Sequence, residues 1–236
     1  MKNKMIVVIG VLIVLIIGVL VVFYNQKEKT DGEKFKEEYE SLNNTKSSSG
    51  KTIRSLFIAK DNPIVYSSAE EVIKMMDQEE NFAIYFGFAS CPWCRSVIAS
   101  LLEVAEDLKI EKIYYVDVTD ISDVMVLDEN KEAITEKKGT DAYYELLERL
   151  DNLLSDYSLK TEDGEEVATG EKRIYAPNIV SIINGKGENL TTGISDEQTD
   201  GYMELTEEMQ KDSYNKIKCA LECLIEEATT CTKNAC

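Results

Sequence analysis

The run Phe82-Ala83-Ile84-Tyr85-Phe86-Gly87-Phe88, then Cys91-Pro92-Trp93-Cys94, then Val97, Ile98, Leu101, Leu102, Ala105 and Leu108 at helical spacing decides the fold. A continuous apolar run rich in aromatics and bounded by polar residues predicts a buried strand. Apolar residues three and four apart predict the helix that follows, and Pro92 fits its first position. The two cysteines therefore sit at a strand-to-helix junction, with the first sulfur at the helix N-terminus. There the free N–H groups and the macrodipole favour thiolate over thiol. A CxxC alone is weak, because zinc ribbons carry it too. The strand before it and the helix after it point to redox chemistry.

The rest of the chain sets limits on that reading. It has 236 residues, room for an anchor, a linker and one domain of ordinary size. Met5–Phe23 holds no charge, and nineteen apolar residues at about 1.5 Å each can span a hydrocarbon core of about 30 Å. A cleaved signal peptide is the rival. The run is long for an h-region, and Val21-Val22-Phe23-Tyr24-Asn25 offers no small-x-small cleavage site. No cysteine follows the run closely enough for a lipid anchor. Lys2 and Lys4 precede it, which predicts a single-pass cell-membrane protein with its N-terminus in the cytoplasm. The cysteine-bearing part then faces outward, where disulfides persist. Formal charge is −18, and without Lys2 and Lys4 the remainder carries −20. Such a surface repels nucleic acid and anionic lipid, so no nucleic-acid partner is expected. Histidine is absent, which removes Ser-His and Cys-His nucleophile pairs and His-containing zinc sites.

Along the chain, residues 1–24 read as the anchor and 25–51 as a polar stalk, partly helical around Glu33–Leu42 and ending in Ser47-Ser48-Ser49-Gly50. Residues 52–228 read as one α/β domain, and 229–236 as a cysteine-bearing tail. Expected elements are a short strand at Ile53–Ile58, a helix capped by Ser67 or Ser68, the strand Asn81–Phe88, the helix Pro92–Leu108 and a strand Ile113–Val118. Gly139–Leu159 repeats Tyr143, Leu146, Leu147, Leu150, Leu153 and Leu154 at helical spacing, predicting a helical insert at about 122–172. Asn178–Ile183, a turn at Asn184-Gly185 and Glu188–Ile194 predict a hairpin, and Thr206–Glu227 a last helix. Helix-linked strands followed by a hairpin make a mixed sheet with helices on both faces. Asn43-Asn44-Thr45 and Asn189-Leu190-Thr191 match the glycosylation pattern, which short sequences meet by chance.

With Cys91-Pro92-Trp93-Cys94 after a buried strand and Ala176-Pro177 opening another about eighty residues later, residues 53–228 resemble the thioredoxin superfamily. The resemblance implies a cis Ala176–Pro177 bond beside Cys91, exposing the preceding backbone to substrate. The anchor, the insert and Tyr175-Ala176-Pro177-Asn178 resemble membrane-tethered oxidoreductases of Gram-positive bacteria, including bacteriocin transport accessory proteins. Cytosolic members of the superfamily carry a buried acid six positions before the first active cysteine and a tryptophan directly before it. Tyr85 and Ser90 stand there instead. In that family the acid relays a proton for the resolving thiol, so its absence here argues against efficient reductase activity. The dipeptide is Pro-Trp rather than Gly-Pro and lacks the histidine of strong periplasmic oxidants, so redox direction does not carry over.

In this reading Cys91 is the exposed attacking thiolate and Cys94, one turn inward, the resolving thiol; the pair itself is the redox centre, with no cofactor and no metal. A structural or metal-binding pair is the alternative, and zinc would need two further ligands. Trp93 either offers an apolar platform to substrate or packs on its own loop, and Ala176 and Pro177 position the substrate backbone. Arg95 either adds positive potential near Cys91 or is simply solvated. Cys219, Cys223, Cys231 and Cys236 crowd the last eighteen residues. Cys219 and Cys223 share a helical face, so a returning tail would form nested bridges Cys219–Cys236 and Cys223–Cys231. Four cysteines allow three pairings, and a four-thiolate metal site or a second redox relay also fits the count. The expected partners are an exported cysteine-containing polypeptide and a membrane or extracellular redox protein. The expected activity is thiol–disulfide exchange, oxidation or isomerisation ahead of reduction. A non-catalytic module that holds exported peptide on the same scaffold is the second reading.

Overall fold

The computed structural model describes residues 28–225. Their first helix, α1 (Asp31–Glu40), is followed by β1 (Ile64–Tyr66), α2 (Ala69–Asp77), β2 (Phe82–Gly87), α3 (Pro92–Asp107) and β3 (Ile113–Asp117). Then come β4 (Val124–Leu127), β5 (Ala133–Lys137), α4 (Asp141–Arg149), β6 (Asp156–Lys160) and β7 (Glu166–Lys172). The chain closes with β8 (Asn178–Ile183), β9 (Lys186–Thr191), α5 (Glu207–Leu221) and a short 3₁₀ turn at Glu222–Leu224.

The central sheet runs β1-β3-β2-β8-β9. β1, β3 and β2 are parallel, while β8 lies antiparallel to β2 and β9 antiparallel to β8. Both faces are covered, so the strands are apolar on both sides rather than alternating. Ala83 and Tyr85 of β2, Ile113 and Tyr115 of β3 and Ile179 of β8 face one core, with α1, α3 and α5. Phe82, Ile84, Phe86, Val116, Val180 and Ile182 face the other, with α2 and α4. The architecture is thus α/β, a mixed sheet flanked by helices.

Local signals account for the ends of these elements. Ser68 caps α2 in a full capping box: its hydroxyl accepts from the Glu71 N–H, and the Glu71 carboxylate accepts from the Ser68 N–H. Thr140 and Thr206 cap α4 and α5 through their hydroxyls. Asn184 and Gly185 both have positive φ, the backbone that a two-residue hairpin turn between β8 and β9 requires. Gly185 also passes so close to the Met76 carbonyl that a Cβ would fall 2.0 Å from its oxygen.

Three expectations are corrected. Residues 25–51 do not form a stalk from Asp31 onward: α1 buries Phe35 and Tyr39 completely, and Ser47–Lys51 makes a tight turn closed by a bridge between Lys46 and Thr52. Phe35 and Tyr39, four apart, put both rings on one face of an otherwise charged helix, and that single stripe is enough to dock it. Ile53–Ile58 is extended but forms no strand; Ile53, Leu56 and Ile58 drop into the core from an irregular path. The 122–172 insert is not wholly helical. It holds the hairpins β4–β5 and β6–β7 around the short α4. The helical stripe is real as far as Leu150, and Asp156–Lys160 is extended because it pairs with β7, turning at Gly164 with φ of 84°. No helix among the described residues is long and apolar enough to cross a membrane. The Met5–Phe23 span lies outside them, as do Cys231 and Cys236.

Because α1 belongs to the core, Phe35→Ala should lower the unfolding free energy by about 3–5 kcal/mol in a urea titration. A change within a few tenths of a kcal/mol would show that α1 is a spacer after all.

Candidate functional site

β2 ends at Gly87, and four residues later Cys91 caps α3 with extended backbone, φ −68° and ψ 118°. Its sulfur takes the place that a serine or aspartate oxygen usually holds: Cys91 Sγ accepts from the Cys94 N–H at 3.2 Å. Pro92 follows at the first helical position, where its missing N–H costs nothing. From the other side, the Cys91 thiol donates to the Ala176 carbonyl at 3.3 Å, and the bond that follows, Ala176–Pro177, is cis. The Tyr175 N–H donates to Asn178 Oδ1 at 2.5 Å, holding the turn at the head of β8. Cys91, Cys94, Ala176 and Pro177 thus converge, although more than eighty residues separate the two halves.

Cys91 and Cys94 are both free thiols. Their environments push them in opposite directions. A hydrogen bond from the Cys94 thiol, assisted by the backbone N–H groups of Cys94 and Trp93, lowers Cys91 below the usual thiol range against the opposing effect of burial. Burial pushes Cys94 well above that range, and the neighbouring Cys91 adds to the effect. The helix start therefore holds one thiol ready to ionise and one kept protonated, which is the division of labour that exchange chemistry needs.

Cys91 is less open than a helix-start position implies, with 3 % of its surface accessible, and Cys94 has none. The Ala176 carbonyl lies against the sulfur. Trp93 is half-buried, packed against the core and against Gly201, where a Cβ would fall 2.9 Å from Pro92 and 3.2 Å from the indole. The loop bearing Gly201 is tied to the same turn of α3 by Gln198, whose Nε2 donates to Ser96 Oγ at 2.8 Å. Sequence reading did not find this loop, since nothing in Ser195–Met203 marks it except its glycine.

Arg95 is neither solvated nor aimed at the cysteines. With 1 % of its surface accessible, it donates to the carbonyls of Arg54 (2.7 Å), Tyr39 (2.9 Å) and Ala89 (3.1 Å) and to Asn43 Oδ1 (2.9 Å). Behind Cys94 lies a group of buried phenols, of which the sequence reading singles out only Tyr85, at the place of the superfamily's buried acid. Tyr85 reaches the Cys94 thiol, and Tyr39 and Tyr115 pack beside it. Tyr39 was hidden within the stretch read as stalk.

Farther away, Asp123 and Arg173 clamp the two ends of the insert, with Nη1 to Oδ1 and Nη2 to the Asp123 carbonyl, both at 2.8 Å. The Arg173 guanidinium also stacks 4.4 Å over the Tyr157 ring, beside the exposed Tyr175. Cys219, in the last turn of α5, and Cys223, in the 3₁₀ turn after it, lie far in sequence from the CxxC, and both are in disulfide bonds. The Asn189 amide donates to Cys223 Sγ at 3.0 Å, joining this end of the chain to β9. Among the described residues no group of three or more Cys, Asp or Glu side chains could hold a metal ion. No protein-family model matches this chain, and no curated protein matches it.

Iodoacetamide should therefore label Cys91 of the reduced protein and spare Cys94. Its rate should climb with pH and level off below the ordinary thiol range; equal labelling of the two would refute the asymmetry. Stability carries the matching sign. Cys91 binds its proton less tightly folded than unfolded, so it adds stability as pH rises from its lowered pKa to the unfolded value. Cys94 does the reverse, so the reduced protein should lose stability as pH rises above the unfolded thiol pKa, measured as a falling Tm.

Proposed function

We propose that this chain is an extracytoplasmic thiol–disulfide oxidoreductase of thioredoxin-like build, held to the membrane by Met5–Phe23 and acting on exported cysteine-containing polypeptides. The observation that carries this reading is the pair of unlike thiols: Cys91, capping α3 with a lowered pKa, and the buried Cys94 beside it. The sheet order and the cis Ala176–Pro177 peptide against Cys91 Sγ support the thioredoxin-like part of it.

In the oxidising direction a substrate thiolate attacks Cys91 of the Cys91–Cys94 disulfide. A substrate–Cys91 bond forms, the Cys91–Cys94 bond breaks, and Cys94 leaves and takes up a proton. A second substrate thiolate then displaces Cys91, leaving an oxidised substrate and a reduced pair. The redox partner reoxidises the pair. The same steps reversed reduce a disulfide, and release after rearrangement isomerises one. Oxidation or isomerisation is favoured over reduction, because no cytosolic thiol pool reaches the outer face. Ala176, carrying a carbonyl that already meets Cys91, would align an extended substrate backbone, with Trp93 beside it.

A second reading, a module that holds exported peptide without chemistry, draws on the small accessible surface of Cys91. Trapping separates the two. Cys94→Ser, expressed in the native host, should accumulate mixed disulfides on Cys91, and Cys91→Ser should accumulate none. A Cys91–Cys94 disulfide that stays inert in glutathione buffers of every ratio would favour the peptide-holding module and sink the enzyme.

Replacing Cys219, Cys223, Cys231 and Cys236 together with serine should lower Tm yet leave exchange at Cys91 intact. A chain cross-link typically contributes about 2–4 kcal/mol by restricting the unfolded state. Loss of exchange at unchanged Tm would instead make these sulfurs a second relay.

A further inference from the structure

Cys94 has no accessible surface, so the proton it sheds or takes up has no direct route to water. The hydroxyl facing it belongs to Tyr85, also fully buried. Gly87, two residues along the same strand, makes room for that hydroxyl: a Cβ there would fall 2.4 Å from Tyr85 Oη. Tyr85 Oη lies 3.0 Å from Tyr39 Oη. Tyr39 packs beside Tyr115, with ring centroids 6.2 Å apart, and the Tyr115 hydroxyl donates to Glu38 Oε1 at 3.4 Å. Glu38 is half-buried on α1, and its other carboxylate oxygen accepts from Tyr66. A file of buried hydroxyls therefore leads from the buried sulfur towards a carboxylate at the rim.

We propose that Tyr85, Tyr39 and Tyr115 are a proton relay between the Cys94 thiol and the Glu38 carboxylate, working during thiol–disulfide exchange. This inference rests on reading Cys91 and Cys94 as an exchange pair. When a Cys91–substrate disulfide is resolved, Cys94 passes its proton to Tyr85 as its sulfur attacks Cys91. Tyr85 passes its own proton to Tyr39, Tyr39 to Tyr115, and Tyr115 to Glu38. The Cys91–Cys94 bond forms, the substrate–Cys91 bond breaks, and the substrate leaves as thiolate. One proton thus ends on Glu38, and each phenol is restored. The reverse direction delivers a proton to Cys94 as it leaves.

Burial raises all three phenols far above the usual tyrosine range, so none can wait as a tyrosinate. Each must accept a proton as it gives one, which the hydroxyl, donor and acceptor at once, allows. The charges around the row favour movement along it. The Arg95 guanidinium faces Tyr39 and Tyr85 from α3 and favours negative charge at the inner end. Glu38, Asp31 and Asp117 face Tyr66 or Tyr115 at the outer end and draw the proton outward. Cys91 faces Cys94 directly.

The test uses 5,5′-dithiobis(2-nitrobenzoate) on the reduced full-length protein. The first thionitrobenzoate released reports attack by Cys91, and the second reports resolution by Cys94. Tyr85→Phe and Tyr39→Phe should slow the second release by about a hundredfold or more between pH 6 and 8, as for the loss of one positioned acid–base group. The first release should be unchanged. Glu38→Gln should slow the second release as well, and the slowing of that step in heavy water should vanish in Tyr85→Phe. Second release at the wild-type rate and pH profile in both phenylalanine variants would overturn the relay. Should those variants fail to fold, a second release at the wild-type rate in Glu38→Gln overturns it equally. A wild-type protein that releases only one thionitrobenzoate would instead overturn the exchange reading, and the relay with it.

Discussion

The buried guanidinium of Arg95 is the joint on which the site depends. A cation removed from water must find acceptors within the protein, and hydrogen bonds to a charged donor contribute about 1.5–3 kcal/mol each. Arg95 finds them in three backbone carbonyls and one side-chain amide, all supplied by chain outside its own helix. Two of those acceptors lie at the end of α1 and just after it, and a third is in the segment leading to β1. Asn43, one of the four, is itself held by Leu56, whose N–H donates to the same oxygen at 2.9 Å. The requirement to satisfy one charge thus wraps residues 39–56 around the helix that starts with the cysteines.

That wrapping brings Tyr39 behind Cys94 and makes the environment of the second thiol. The two sulfurs are three residues apart, and a turn of helix is enough to give one the helix end and the other the core. Hydrogen bonding outweighs burial at Cys91, and burial prevails at Cys94. The proposed exchange uses this inequality rather than either residue alone. A polar neighbour for Cys94 survives in the core because Gly87 leaves space for a phenol, whose hydroxyl is then satisfied by another phenol. Buried polar groups persist only when partnered, and here Tyr85 and Tyr39 partner each other.

The insert is kept from disturbing this arrangement by its root. Arg173 and Asp123 bind where the chain leaves and rejoins the main body, so β4–β5 and β6–β7 extend from a fixed base. Rejoining occurs only three residues before Ala176, so the same ion pair steadies the segment that meets Cys91 Sγ.

Much of the fold was legible in the sequence because its signals are local. The apolar run of β2, the Pro92 start of α3, the Ser68 capping box and the Asn184-Gly185 turn each fix their own element, whatever surrounds them. The CxxC at a strand-to-helix junction likewise marked Cys91 and Cys94, and Ala176-Pro177 marked the opposing segment. Other features depend on partners distant in the chain. A charged stretch such as Asp31–Glu40 reads as a spacer until the core offers a place for Phe35 and Tyr39. Leucines at helical spacing read as helix past Leu150 until β7 supplies hydrogen bonds to an extended chain. Arg95 reads as a surface residue until four acceptors from elsewhere close around it. The sequence by itself determined where the two sulfurs of the CxxC stand, since backbone geometry at a helix start is a local matter. Only the tertiary structure decided how deeply they are buried and what faces Cys94, because burial and hydrogen bonding there are set by residues 39 and 85, brought together from different elements.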